Sequence, residues 1–343
     1  MIVNEKAVIS GDFLSSYIYN DVLLLQMMDD KLYSINTREL DAKSSIDFDD
    51  YVNKKQKKCL KLDQFITDFD VYDNTIIYSN SSGLFQIKMS DVSADDVHPS
   101  KLWDAPVQCV RIGDNGRVAL SLAREGLYEY DLGRIKLAID NGVKKTDNKI
   151  RQISKSHSIS CNWSHGNLWN YSNIGECSLF TFSRNDNFED RLFFAGEYTS
   201  KNLFEEQKEK SYMYLSENKK LVNRLSKKSI ETVRFSQSNN ETVIKGTQKR
   251  KLHKQINIDD VRDIAEIRIK DELEPLIVYE TRNGVTIIDS YGKIVHQIED
   301  KTFVSWRVFP KSKTHRNELH VVFDDRLEII KFYASTAPDS NNN

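Results

Sequence analysis

The chain is poor in proline and glycine, with 5 and 13 among 343 residues, so many of its tight turns must come from Asn, Asp and Ser. Those side chains hydrogen-bond the turn backbone themselves. Cysteine is sparse too: Cys59, Cys109, Cys161 and Cys177 form no Cys-x-x-Cys pair. A chain this long does not need disulfides to hold a core, and scattered thiols fit a reducing compartment with cysteine buried in strands. No stretch approaches the roughly 18 apolar residues of a membrane span. The longest runs, such as Val22-Leu23-Leu24-Leu25, are strand-sized. The opening residues, MIVNEKAVISGDF, lack an apolar segment behind a basic one and do not read as a signal peptide. The expected location is the cytoplasm, with the nucleus as the alternative, and no membrane is expected as a partner. Charge of one sign is missing as well: 49 basic and 51 acidic residues leave −2. Nucleic acid or an anionic surface would therefore have to be met by a local patch.

Catalytic signatures are also missing. There is no G-x-S-x-G and no phosphate-binding G-x-x-x-x-G-K. The chain reads as non-enzymatic, and no cofactor is expected.

What is present is a repeat. An apolar strand, a short polar turn and a second apolar strand recur along the chain. The copies are Val22-Leu23-Leu24-Leu25 with Leu32-Tyr33-Ser34-Ile35, Ile76-Ile77-Tyr78 with Leu84-Phe85-Gln86-Ile87, and Val118-Ala119-Leu120 with Leu127-Tyr128-Glu129-Tyr130. They continue with Leu168-Trp169 and Leu179-Phe180-Thr181-Phe182, Leu276-Ile277-Val278-Tyr279 and Val285-Thr286-Ile287-Ile288, and Leu319 to Phe323 with Leu327-Glu328-Ile329-Ile330. Each is a β-hairpin by its signals. Second strands start at 32, 84, 127, 179, 285 and 327. The long gap before 285 is twice the usual step, which puts a hidden copy at Thr232-Val233-Arg234-Phe235 and makes seven. Further strands are expected before the hairpins, at Phe65-Ile66-Thr67, Val107 to Val110, Ile159-Ser160-Cys161, Ile264 to Ile267 and Val304 to Val308.

A hairpin period of roughly 40–50 residues is the pattern of a propeller with four strands per blade. The expectation is an all-β chain: a seven-bladed β-propeller of four-stranded antiparallel blades over residues 1–336, with an unstructured tail at 337–343. Ile2-Val3 and Ala7-Val8-Ile9 are expected to complete the last blade beside Ile329 to Phe332. The competing arrangement is two separate β-domains, or a sandwich with a barrel. The repeat resembles the β-propeller superfamily and is loosely similar to WD-repeat proteins over nearly the whole chain. No copy begins with Gly-His or ends with Trp-Asp; Asp131 and Asp289 are the residues that would stand for that Asp.

Three stretches break the rhythm: 36–63, 133–157 and 200–260, the last with a helical turn expected at Leu203 to Lys208. Long connections are usually functional or disordered. The densest basic cluster is Lys249-Arg250-Lys251-Leu252-His253-Lys254; with the lysines of 54–61 it is a candidate phosphate-binding or nuclear-import patch, against the plainer reading of a solvated loop. Nucleic acid also asks for aromatic stacking partners, and neither run contains one. Trp103 follows Pro99-Ser100-Lys101 and is the candidate interface tryptophan of a surface loop, against ordinary core packing. His157, Cys161, His165 and Cys177 are the nearest approach to a metal set, but their spacing matches no standard zinc pattern, and no metal is expected. The resemblance implies a protein-interaction scaffold or adaptor, a subunit of a larger intracellular complex. Left open are an RNA- or ribonucleoprotein-associated propeller using the basic loops, and an enzyme or small-ligand sensor using the channel.

Overall fold

The computed structural model describes residues 2–40, 45–95, 97–113, 116–132, 150–164, 166–173, 176–185, 188–205, 209–216, 220–238, 241–270, 274–282 and 284–334. β1 (Ile2–Ser10) belongs to the last sheet. The first blade is β2 (Phe13–Tyr19), β3 (Val22–Met27), β4 (Lys31–Asn36) and β6 (Cys59–Lys61), interrupted by β5 (Ser45–Asp47) and helix α1 (Phe48–Lys55). The second is β7 (Asp68–Tyr72), β8 (Thr75–Asn80), β9 (Gly83–Lys88) and β10 (Ser100–Trp103). The third is β11 (Cys109–Ile112), β12 (Arg117–Ser121), β13 (Leu127–Asp131) and β14 (Ile150–Ser154). The fourth is β15 (Ser160–Ser164), β16 (Asn167–Asn173), β17 (Glu176–Asn185) and β18 (Phe188–Thr199). The fifth is β19 (Ser211–Leu215), β20 (Leu221–Ser226), β21 (Ser229–Ser238) and β22 (Glu241–Lys251). The sixth is β23 (Asp263–Ile267), β24 (Leu276–Thr281), β25 (Gly284–Ile288) and β26 (Ile294–Glu299). The seventh is β27 (Phe303–Val308), β28 (Glu318–Phe323), β29 (Arg326–Ala334) and β1. This is the seven-bladed propeller that the repeat predicts.

The hairpins read from the sequence are the second and third strands of each blade, including the hidden copy, which lies in β21. Second strands are buried along most of their length because both blade faces are covered: β8 buries Ile76 to Asn80, and β28 buries all six of its residues, the polar Glu318 and His320 included. Seven apolar clusters fill the seven junctions between blades. Leu24 and Leu32 of the first blade, for example, meet Phe69 and Ile76 of the second. Turns follow the shortage of glycine: Asn20, Asp30, Asp73 and Asn74 take positive φ themselves. Glycine is kept where backbone comes close. A Cβ on Gly83 would lie 2.2 Å from the Trp103 carbonyl oxygen, and one on Gly284 2.0 Å from that of Ile298. In both blades the outer strand passes over the start of the third.

Several expectations need correction. Phe65-Ile66-Thr67 precedes its strand, and the inner strands β2 and β19 went unread. The 200–260 stretch is no long connection but a helix of four residues, Ser200–Leu203, and then the whole fifth blade. Its outer hairpin is polar because outer strands face solvent, which hid its period. Residues 133–149 and the tail lie outside the described residues, while 150–154 form β14. The 36–63 stretch closes the ring. β1 pairs antiparallel with β29 from Ile2–Ala334 to Ser10–Arg326, as expected of the last blade. β5 leaves the first blade and adds a fifth strand in parallel, Val8 beside Ser45 to Ser10 beside Asp47. α1 follows, its first turn capped by the Asp47 carboxylate, which accepts from Asp50 N at 3.0 Å. Phe48 is buried against the rings of Phe13 and Tyr33, at 5.2 and 5.3 Å.

Polar ties overlie the apolar packing at each junction. Between the seventh and first blades His320 donates from Nε2 to Glu318 (3.4 Å), so its Nδ1 accepts from Ser16 Oγ (3.1 Å). Glu318 also holds His315 and Lys331, both at 2.9 Å. First strands, the innermost of each blade, adjoin at several junctions around the axis, β7 with β11, β11 with β15 and β27 with β2 among them. Across the axis, Arg307 of β27 reaches Asp68 of β7 at 3.0 Å, passing over the rings of Tyr17 and Phe69. Asp68 also accepts from Arg111 Nη1 (2.5 Å) and Val110 N (2.9 Å). Burial by itself would raise this carboxyl's pKa; Arg111, Arg307 and the Val110 N–H outweigh it and hold the group below the usual range. Beside it Asp70 accepts from Tyr17 Oη (2.5 Å) and Ile112 N (2.7 Å).

Three outcomes follow for stability. Phe48→Ala is expected to cost about 3–5 kcal/mol in urea denaturation, as for other buried Phe; a loss below about 1 kcal/mol would mean that α1 is dispensable to closure. Arg307→Met is expected to cost about 2 kcal/mol, less than the loss of a sole partner, because Asp68 keeps Arg111. A double-mutant cycle with Asp68→Asn should show coupling, and strict additivity would remove the tie across the axis. Finally, burial holds the His320 imidazole below its usual pKa, and hydrogen bonds from His315, His320 and Lys331 overcome burial to hold Glu318 low. Both depressed values have one sign: the unfolded chain binds the proton more readily. Stability is then full above about pH 6.5 and falls on acidification, the histidine part first. His320→Gln should shrink the difference in unfolding free energy between pH 7.5 and 5.5 (about 1 pH unit either side of the free imidazole), and an unchanged difference would refute the assignment.

Candidate functional site

The Arg307–Asp68–Arg111 chain of charge joins the seventh, second and third blades, and a recess opens beside it. Its volume is about 190 Å³, and Ser16, Gln26, Phe65, Asp68, Trp306 and Arg307 are among its walls. Three blades build it: β2 and the end of β3 from the first, the approach to β7 from the second, and β27 from the seventh. Gln26 is fixed from both ends, accepting from Ser15 Oγ (2.9 Å) and donating to the Ile66 carbonyl (3.3 Å). Trp306 is fixed by its Nε1–H on Glu280, 2.8 Å away. Phe65 at 55% and Met28 at 51% are two of the most exposed large apolar residues, in turns that run beside each other. The recess therefore has mixed walls, with Leu14, Phe69 and Val322 beside polar groups that hydrogen bonds hold in place, and Phe65 exposed at its lip.

Ser16, His320 and Glu318 stand in the hydrogen-bond order of a nucleophile, base and acid. Their burial argues against that role. His320 has no solvent exposure, its ring lies 4.7 Å from that of Phe309, and Glu318 is shared with His315 and Lys331. A base must also deliver its proton to a leaving group, and this imidazole reaches the recess only through Ser16.

The basic residues predicted from the sequence fall elsewhere. Lys249, Arg250 and Lys251 are on β22, the outer strand of the fifth blade, and His253 and Lys254 follow it. Lys249 is engaged by Glu231 at 2.6 Å, in a buried group where Glu231 also holds Arg224. The third blade repeats the device, with Glu129 between Arg117 and Arg151. Arg250 pairs with Glu274 at 3.0 Å and lies 5.2 Å over the ring of Tyr291. Lys251, His253 and Lys254 are exposed. The lysines of 54–61 sit on the first blade, three blades away by the shorter route, so the two runs do not combine. There Lys54, Lys57 and Lys58 are paired with Asp50, Glu39 and Asp95. Trp103 stands on the outer strand β10 rather than on a loop, half-buried with its ring 5.2 Å from that of Tyr128.

The nearest approach to a metal set is not gathered. His157 is exposed with Nδ1 2.9 Å from the Ser172 carbonyl oxygen, Cys161 faces Cys109, Cys177 lies against Met213, and His165 is outside the described residues. Asp289 does not mimic a repeat-ending Asp in contact with a neighbour; it caps its own turn, accepting from Tyr291 N and Lys293 N. Sequence reasoning missed the recess, whose walls come from distant segments, and Tyr291, which no pattern ties to the basic run.

No family model matches the chain, and no curated protein matches it. Solved structures do match in fold. The WD40 domain of Pan2 from Neurospora crassa superposes with a TM-score of 0.51 at 9% identity, over 96% of this chain and 95% of that one. The β-propeller domain of Cps50 (Swd1) from Myceliophteria thermophila gives 0.53 at 9% identity, over 94% and 97%. At such identities the likeness is one of architecture: this chain has the propeller fold that WD40 domains share.

Proposed function

We propose that this protein is a non-enzymatic scaffold of an intracellular assembly, and that its propeller binds a protein partner at the recess between the first, second and seventh blades. The observation that carries the reading is the recess itself. About 190 Å³ with walls of mixed polarity suits one inserted side chain, and the half-exposed Phe65 at its lip offers the apolar edge that interface hot spots need. The propeller and WD40 structures of similar fold support the scaffold part of the reading by analogy of architecture.

Phe65 bears little of the fold, so Phe65→Asp separates binding from stability. Affinity isolation of the tagged full chain is expected to bring down a stoichiometric partner, and the variant to lose it while its melting temperature stays within about 2 °C. A partner retained by Phe65→Asp would move the interface away from the recess. The absence of any stoichiometric partner would end the scaffold reading.

A further inference from the structure

The recess uses none of the positive charge of the fifth blade. Residues 211–254 carry eleven Lys or Arg against three Glu, in a chain whose total is −2. Between this blade and the sixth lies a second cavity, of about 440 Å³. Apolar packing fills one end of that junction, through Tyr212, Leu225, Ile264 and Ile277. The other end is open and polar, with Arg234, Arg250, Arg268, Asn223, Gln248 and Glu266 among its walls.

Arg268 is the informative wall. Among the described residues its buried Nε–H has no hydrogen-bond partner, and its Nη2 has long contacts, 3.5 Å to Ser216 Oγ and 3.7 Å to Glu266. Buried donors are as a rule hydrogen-bonded, so this one offers a place to an acceptor that enters the cleft. Glu266, by contrast, is fixed by Ser216 Oγ (2.7 Å) and Asn223 Nδ2 (3.2 Å). At the outer edge, next to the lining residue Ser290, Tyr291 is 50% exposed. Its ring is flanked by Arg250 at 5.2 Å and by His253 at 5.6 Å, with Lys251 and Lys254 exposed alongside. The fold thus supplies the aromatic partner that the basic run lacks in sequence.

We infer that the cleft between the fifth and sixth blades and its basic rim bind a single-stranded polynucleotide. Phosphates lie on the lysines and guanidinium groups of the rim, one base stacks on Tyr291, and a neighbouring nucleotide enters the cleft. An acidic peptide matches the rim charge but not the rest: its carboxylates would meet Glu266 and Glu274, and it has no use for an exposed aromatic face. A base carries both the N–H donors that those carboxylates accept and acceptors for Arg268.

The test is fluorescence anisotropy of the full chain with labelled strands of about 12 nucleotides, as RNA and as DNA of one sequence. The same RNA as a duplex and a poly-glutamate peptide serve as competitors. Binding is expected to one or both single strands, the tighter one naming the natural sugar, with affinity falling steeply as salt rises. Tyr291→Ala, an exposed site, should weaken binding about tenfold with little change in salt slope. Lys251→Ala with Lys254→Ala should flatten that slope by about one to two units. Arg268→Gln should weaken single-strand binding, and Phe65→Asp should leave it unchanged, which separates this site from the recess. No binding at low salt would overturn the inference. So would duplex or poly-glutamate competing as well as the single strand, or wild-type affinity in both Tyr291→Ala and Arg268→Gln.

Discussion

Every blade has two apolar faces, and a ring is the arrangement in which each face finds another. The ring therefore depends on its last junction, where one sheet is assembled from both ends of the described chain. β1 lies on β29 along nine residue pairs, and β5 then lies on β1 from the other side. The second contact turns an edge strand into an interior one. It also explains why the first blade is interrupted between its third and fourth strands: the detour spends a short strand and a helix on guarding the junction that no hairpin turn secures.

The seven junctions share an apolar filling but differ in their polar chemistry. Where WD repeats carry recurring motifs, this chain uses a changing set of ties: Ser16 on His320, Tyr17 on Asp70, Trp163 on the Arg111 carbonyl, Ser216 on Glu266, and Trp306 on Glu280. Buried carboxylates held between two cations on flanking strands occur in both the third and the fifth blade. Guanidinium groups lie over aromatic rings at several junctions, such as Arg117 over Trp163 and Phe182. Individually varied ties on a common architecture account for a chain that matches propellers in shape while matching no family in sequence.

The architecture was legible because the second and third strands of each blade are covered on both sides and joined by short turns. Their apolar runs and turn residues survive even in the degraded copy at Thr232 to Phe235. Fourth strands face solvent and first strands are unevenly covered: β2, of mixed burial, and the short β19, buried from Tyr212 to Leu215, passed unnoticed, and the polar outer half of the fifth blade read as a connection. Of the sites, the basic run was visible because charge density is local in sequence. Its partners were not. Tyr291 reaches it from the next blade, Glu231 and Glu274 neutralise part of it, and Arg268 matters through an atom without a partner, which spacing cannot express. The recess was invisible for the same reason, since its walls are drawn from the first, second and seventh blades.

Arg307 gives the ring a property that junctions alone do not. It links the second and seventh blades, which are not neighbours, and so forms a chord across the hub with the first blade enclosed beneath it. A wheel of wedges without chords can shed any wedge by parting two seams. Here the first wedge is captive: it leaves only after the chord breaks and β5 lets go of its neighbour.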